Sequence, residues 1–255
     1  VLGMTKQLKD LVNTINSIKP NIILALGDRE EAMSAAIAGS YMNVPIAHVA
    51  GGDRVIGNID DQIRHAVTKL SHIHFTTSIE SKERILKMGE QSFRVFNVGN
   101  PGIDRLIEVK KISSSKLSRT INFDIDYNEK YLMLIQHPLS SEYLKSYDQM
   151  NITLKTIEEL KIKTIIIYPN SDVGSQEIIK AIKEFDHLDF IYTIENLERD
   201  IFVNLLRNCN CLIGNSSAGI IEAPFLKLPV VNIGNRQKKR LHSTNVQFVD
   251  HDIKN

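Results

Sequence analysis

Five places in this 255-residue chain put a short apolar run directly before an unusual polar group. ILALG leads into Asp28 and Arg29, and PIA leads into His48, with Gly51, Gly52 and Asp53 just beyond. LMLIQ leads into His137 and Pro138, TIIIY into Pro169, Asn170, Ser171 and Asp172, and CLIG into Asn215, Ser216 and Ser217. In an open parallel sheet the carboxyl ends of the strands share one rim, and ligands bind along it. Each group alone reads first as turn chemistry, since Asp, Asn, Ser and Gly favour turns. Five together, two of them carrying a histidine, point to a site.

GNSSAGIIEA is the most informative single stretch. A strand enters a Gly- and Ser-rich turn, and a helix is expected from about Ser217. Free N–H groups and the helix dipole there suit a phosphate, with the Ser216 and Ser217 hydroxyls as further donors. Glu222 lies one turn beyond Ala218, in reach of both hydroxyls of a ribose. An N-capped helix with Glu222 on its solvent face is the structural alternative. Nothing matches GxxxxGK[ST], which disfavours an ATPase.

The second constellation is GNIDDQIRHAVTKLSHIHF. Ile63, Ala66, Val67 and Leu70 recur at i, i+3, i+4 and i+7, which predicts a helix with those residues as its buried stripe. Asp61, His65, Thr68 and His72 fall opposite, with Asp60 and Arg64 along one flank. A solvated face, with acids complementing the helix N-terminus, would also produce this pattern. No metal is expected: His65, His72 and His74 lack the one-turn spacing of a paired ligand set, and no cysteine is near.

The elements that must position these residues are legible as alternation. β-branched runs at 22–26, 46–49, 74–76, 95–98, 132–135, 164–168, 190–193, 212–213 and 230–233 alternate with amphipathic stretches at 61–70, 81–88, 149–160, 176–185 and 200–208. Such alternation predicts βαβ units and parallel sheets. The serine-rich, weakly periodic segment 110–130 is the natural domain boundary, giving Rossmann-like halves at 1–115 and 116–255. The chain opens on a helix-like stretch where a doubly wound domain normally has an earlier βα unit, so the first half is expected to be incomplete.

Composition narrows the function classes. The formal net charge of +1 offers no global field for nucleic acid or an acidic membrane. No apolar run approaches the roughly 20 residues of a membrane span, and the opening residues lack a signal-peptide cleavage site. The two cysteines, Cys209 and Cys211, flank a single strand residue and are badly placed to pair, so reduced thiols and a cytoplasmic location are expected.

Taken together, LALGDREEAMSAAIAGSYMNVPIAHVAGGD, GNIDDQIRHAVTKLSHIHF, VGNPGID, QHP, YPNSDVGSQEII, GNSSAGIIEAP and VVNIGNRQ resemble the hydrolysing UDP-N-acetylglucosamine 2-epimerases of sialic-acid and related sugar synthesis. The resemblance runs from about Asn21 to Asn255. It implies two Rossmann-like domains of the glycosyltransferase-B type, the nucleotide sugar in the cleft between them and UDP held mainly by the second. By motif match it implies Asp28 and Asp60 as catalytic carboxylates, Asp61 as their neighbour, and His137 as a contact to the leaving diphosphate or an acid. Ser216 and Ser217 would bind phosphate and Glu222 the ribose, with Arg236 near the nucleotide. His48, Asp53, His65 and Asn170 complete the substrate-binding candidates. The implied reaction needs no cofactor, and a homo-oligomer, dimer or tetramer, is expected.

Two departures from the family pattern stand out. Relatives carry a glutamate where this chain has Ala50, and the family's first strand with its TGTR-like basic turn has no counterpart here, so the chain as given is expected to be weakened or inactive. The alternatives are a non-hydrolysing epimerase, a hydrolysing epimerase for a UDP-2,4-diacetamido sugar, a two-domain glycosyltransferase, and a non-catalytic UDP-sugar-binding module. The paired acids of GNIDD argue against the glycosyltransferase.

Overall fold

The computed structural model describes residues 2–54, 59–238 and 240–252. Within it the chain divides into two compact α/β units, 1–101 and 102–255.

The first unit runs α1 (Leu2–Ile18), β1 (Ile23–Leu26), α2 (Glu30–Tyr41), β2 (Ile46–Val49), α3 (Ile59–Leu70), β3 (Ile73–Thr76), α4 (Ile79–Lys87) and β4 (Val95–Asn97). Its strands are all parallel and lie in sequence order, β1-β2-β3-β4. Right-handed crossovers that always advance in one direction lay their helices on one face of a sheet. The core on that face is built from small residues, with Ala25, Ala32, Ala36, Ile46 and Val67 packed together. On the edge strand β1, Leu24 and Leu26 remain 65% exposed.

The second unit begins with α5 (Pro101–Glu108) and α6 (Ser114–Ile121) and continues through β5 (Tyr131–Ile135), α7 (Ser146–Leu160), β6 (Lys163–Ile167), α8 (Ser175–Lys183), β7 (Ile191–Ile194), α9 (Arg199–Asn208), β8 (Cys211–Gly214), α10 (Ala218–Ile221), β9 (Val230–Ile233) and β10 (Val246–Val249). Its parallel sheet has the order β10-β9-β8-β5-β6-β7. The chain therefore winds outward from β5 to β7, returns to the other side of β5, and winds outward again. That reversal puts helices on both faces, and the alternation of β5 shows it. Tyr131, Met133 and Ile135 join one core with Leu205 of α9, while Leu134 joins another with Leu154 of α7 and Ile178 of α8.

The residue-115 boundary falls inside the second unit. Leu106 and Val109 pack against Val203 of α9, and Arg207 donates to the carbonyls of Val109 and Leu106 at 2.6 and 2.8 Å. The stretch after it is no linker: Ser113 caps α6 by accepting from the N–H of Lys116, and Leu117 and Ile121 enter the larger core.

Candidate functional site

In the first unit the polar residues gather at the carboxyl ends of β1 and β2. His48, fully buried, has a ring nitrogen 2.9 Å from the carbonyl of Gly27 and the other 3.0 Å from the Thr68 hydroxyl. A carbonyl only accepts, so Nε2 carries the proton and Nδ1 accepts from Thr68. Burial pushes the ring's pKa down to about 4. His48 is thus a neutral strut that fixes the turn bearing Asp28, with both nitrogens engaged by protein.

Arg64 joins the carboxylates. Its side chain is 7% exposed; it donates to Asp28 and lies 3.4 Å from Asp53. Asp53 in turn accepts from the hydroxyls of Ser81 at 2.5 Å and Thr77 at 2.8 Å. The double glycine before Asp53 is required by close approach: Gly52 has φ +81, and a Cβ there would lie 2.3 Å from the Ser81 carbonyl oxygen. Ala50 takes a left-handed conformation with φ +62.

The predicted inward stripe of α3 holds in part: Val67 is in the core, and Ile63 and Leu70 pack against it. Asp60, Arg64, Val67 and Thr68 are the buried positions, whereas Ile63, Ala66 and Leu70 are only half-buried. Part of the polar flank is buried as well, where Asp28 accepts from Arg64 and the His48 ring pairs with Thr68, partners that hydrophobic periodicity cannot register. Asp61 stays nearer the surface, 3.9 Å from both Arg54 and His65. The Gly57–Asn58 start of the GNIDD motif lies outside the described residues.

In the second unit the residues from β5, β6 and β8 converge. The Asn215 side chain accepts from the N–H of His137 at 2.7 Å and donates to its carbonyl at 2.9 Å. The N–H of Asn170 donates to His137 Nδ1 at 3.0 Å. A backbone N–H can only donate, so the neutral His137 ring carries its proton on Nε2. Asn170 also donates to Asp172 at 2.7 Å. Arg236 and Gln237 donate to the Asn215 carbonyl at 3.3 and 2.8 Å. This cluster sits between β5 and β8, where the winding reverses and doubly wound folds bind their ligands. A cavity of about 610 Å³ opens at the first turn of α8, lined by Tyr143, Leu144, Ser171, Val173 and Gln176 among others.

The GNSS helix is shorter than expected. α10 has four residues and passes directly into a 3-10 turn at Ala223–Leu226. A single turn sums few peptide dipoles, so the donors on offer are local N–H groups and hydroxyls rather than a macrodipole. Ser216 Oγ accepts from the N–H of Ala218 at 3.3 Å. Glu222 ends this turn and forms an ion pair with Arg199 at 2.5 Å. No sequence spacing announces Arg199, because the pair joins elements on either side of β8. Among the described residues no cluster of three or more His, Cys, Asp or Glu is arranged to hold a metal, and no helix is long and apolar enough to cross a membrane.

A doubly wound unit with donors at its switch point, accompanied by a second parallel α/β unit with paired acids at strand ends, defines a Rossmann-like protein of glycosyltransferase-B type. The family model for UDP-N-acetylglucosamine 2-epimerase matches residues 3–255, and the chain belongs to that family. It is 38% identical over 245 residues to a hydrolysing UDP-N,N'-diacetylbacillosamine 2-epimerase of Legionella pneumophila, covering 96% of this chain and 64% of that protein. It is 30% identical over 240 residues to a UDP-N-acetylglucosamine 2-epimerase of Neisseria meningitidis, covering 94% and 62%. The fold matches the crystal structure of a Neisseria meningitidis UDP-GlcNAc 2-epimerase bound to UDP-GlcNAc, with a TM-score of 0.82 at 21% identity, over 98% of this chain and 70% of the other. The chain thus spans somewhat under two thirds of the two curated relatives.

Proposed function

We propose that the protein is a hydrolysing 2-epimerase of a UDP-linked 2-acetamido sugar, turning UDP-N-acetylglucosamine into N-acetylmannosamine and UDP. The observation that carries this reading is the cluster at the β5–β8 switch point, where His137 is tied down by Asn215 and Asn170 beside the serine turn. UDP occupies that turn, its diphosphate accepting from Ser216, Ser217 and His137 Nε2–H, with Arg236 close by and the ribose hydroxyls donating to Glu222. Copies of the chain assemble as a dimer or tetramer.

Asp28 and Asp60 carry the proton transfers, with Asp61 beside them and His48, Asp53 and His65 shaping the sugar pocket. A carboxylate takes the C2 proton, the C1–O bond breaks with its electron pair leaving on UDP, and a 2-acetamidoglucal forms. Water then adds its oxygen to C1 while C2 receives a proton on the opposite face. Donors on the departing diphosphate stabilise the charge that develops there. Arg64, held against Asp28 and Asp53, fixes where these two carboxylates sit.

A second reading, a UDP-2,4-diacetamido sugar as substrate, is favoured by the 38% identical Legionella pneumophila relative. Incubation with each UDP-sugar in deuterium oxide separates the readings. Hydrolysis gives free UDP and free sugar in equal amounts, with one deuteron at C2. An epimerised UDP-sugar without free UDP overturns the hydrolysing assignment. UDP binding without turnover of either substrate indicates a binding module.

A further inference from the structure

We infer that Arg199 is a positioning residue for nucleotide recognition: it orients the Glu222 carboxylate so that the site reads the 2′-hydroxyl of a bound uridine diphosphate. The inference rests on the placement of UDP proposed above and goes beyond it, since neither motif nor spacing gives Arg199 a role.

Arg199 opens α9 and Glu222 ends the turn after β8, so the two come from the chain before and after that strand. The guanidinium Nη2 lies 2.5 Å from Glu222 Oε1. The Glu222 side chain is 15% exposed and that of Arg199 35%. Arg199 is itself braced, with its guanidinium carbon 5.6 Å from the centre of the Phe202 ring and Nη2 3.5 Å from the Gly102 carbonyl. An ion pair this accessible contributes little to stability. Its chemical consequence is directional. With Oε1 committed to Arg199, Glu222 keeps a second oxygen as an acceptor of fixed orientation, and a charge-assisted hydrogen bond from a hydroxyl is strong only when aligned. A carboxylate free to rotate would accept from either ribose hydroxyl and discriminate less.

The test compares UDP with 2′-deoxy-UDP by calorimetric titration of the whole chain, using wild type, Arg199→Met, Arg199→Lys, Glu222→Ala and the Arg199→Met/Glu222→Ala double variant. Wild type is expected to prefer UDP by roughly tenfold, the scale of one charge-assisted hydrogen bond. Arg199→Met is expected to lose most of that preference, mainly by weakening UDP, and Arg199→Lys to restore part of it. In the double variant the arginine change should add nothing to the glutamate change. Equal weakening of both nucleotides by Arg199→Met would mean direct contact with phosphate or base and overturn the inference. Unchanged discrimination in Arg199→Met would overturn it as well. If wild type binds neither nucleotide, the placement of UDP itself fails, an outcome distinct from either of these. Melting curves for each variant identify any loss that arises from unfolding.

Discussion

A guanidinium as buried as Arg64 is stable only where carboxylates neutralise it, and it has Asp28 and Asp53 on the same side of the first sheet. Asp28→Asn and Asp60→Asn are each expected to remove most turnover while leaving UDP affinity near its wild-type value. An amide keeps the size and part of the hydrogen bonding but cannot accept the C2 proton. If Asp60 merely complements the start of α3, its Asn variant keeps near-normal turnover and loses only about 0.3–1 kcal/mol of stability. His48 makes a separate prediction. Its folded-state pKa of about 4 lies below the 6.5 of a free imidazole. Between those values the unfolded chain binds the proton more readily, so the contribution is complete above pH 6.5 and shrinks as the pH falls toward 4. The loss amounts to about 3 kcal/mol at most. His65, His74 and His251 are also lowered by burial and act in the same direction. Urea unfolding at pH 7 and pH 5 should therefore show a clear fall for wild type and a smaller one for His48→Gln.

At the scale of elements, legibility followed packing. Strands at 46–49 and 230–233 match the structure residue for residue, because each short β-branched run is set off by a proline before it, Pro45 or Pro229, and a glycine-bearing turn after it. α2 gave no such signal. Its buried positions are Ala32, Ser34, Ala36, Ala38 and Gly39, small residues chosen for close approach, so no apolar stripe stands out from the rest. α6 was hidden by serines that act as caps and turn formers, although Leu117 and Ile121 anchor it. The strand-end polar residues were legible as a rim; Arg64 and Arg199 were not legible as partners, since their contacts depend on tertiary geometry alone. Gly214 shows how tight that geometry is. It ends β8 with φ +118, and a Cβ there would lie 2.1 Å from the Ile135 carbonyl oxygen on β5. Gly214→Ala is expected to cost at least ~2 kcal/mol, through both backbone strain and the forced separation of these strands. Because the turn that follows carries Ser216, the same change should weaken UDP binding. A variant with unaltered denaturation midpoint and UDP affinity would refute that coupling.

Over the whole molecule, each unit gathers polar residues at the carboxyl ends of its strands. In the first unit Asp28 and Asp53 meet the buried Arg64. The second reverses at β5 and β8, and the crevice such a reversal creates is where hydrogen-bond donors collect around His137 and Asn215. That placement of the nucleotide is the central claim, and an amide-resolved NMR titration of the chain with UDP tests it most directly. Saturable shifts are predicted at Asn215, Ser216, Ser217, Ala218 and Glu222, with smaller ones at His137, Asn170 and Arg199. Saturable shifts confined to the amino ends of the second sheet's strands, or to residues 2–54, would contradict it.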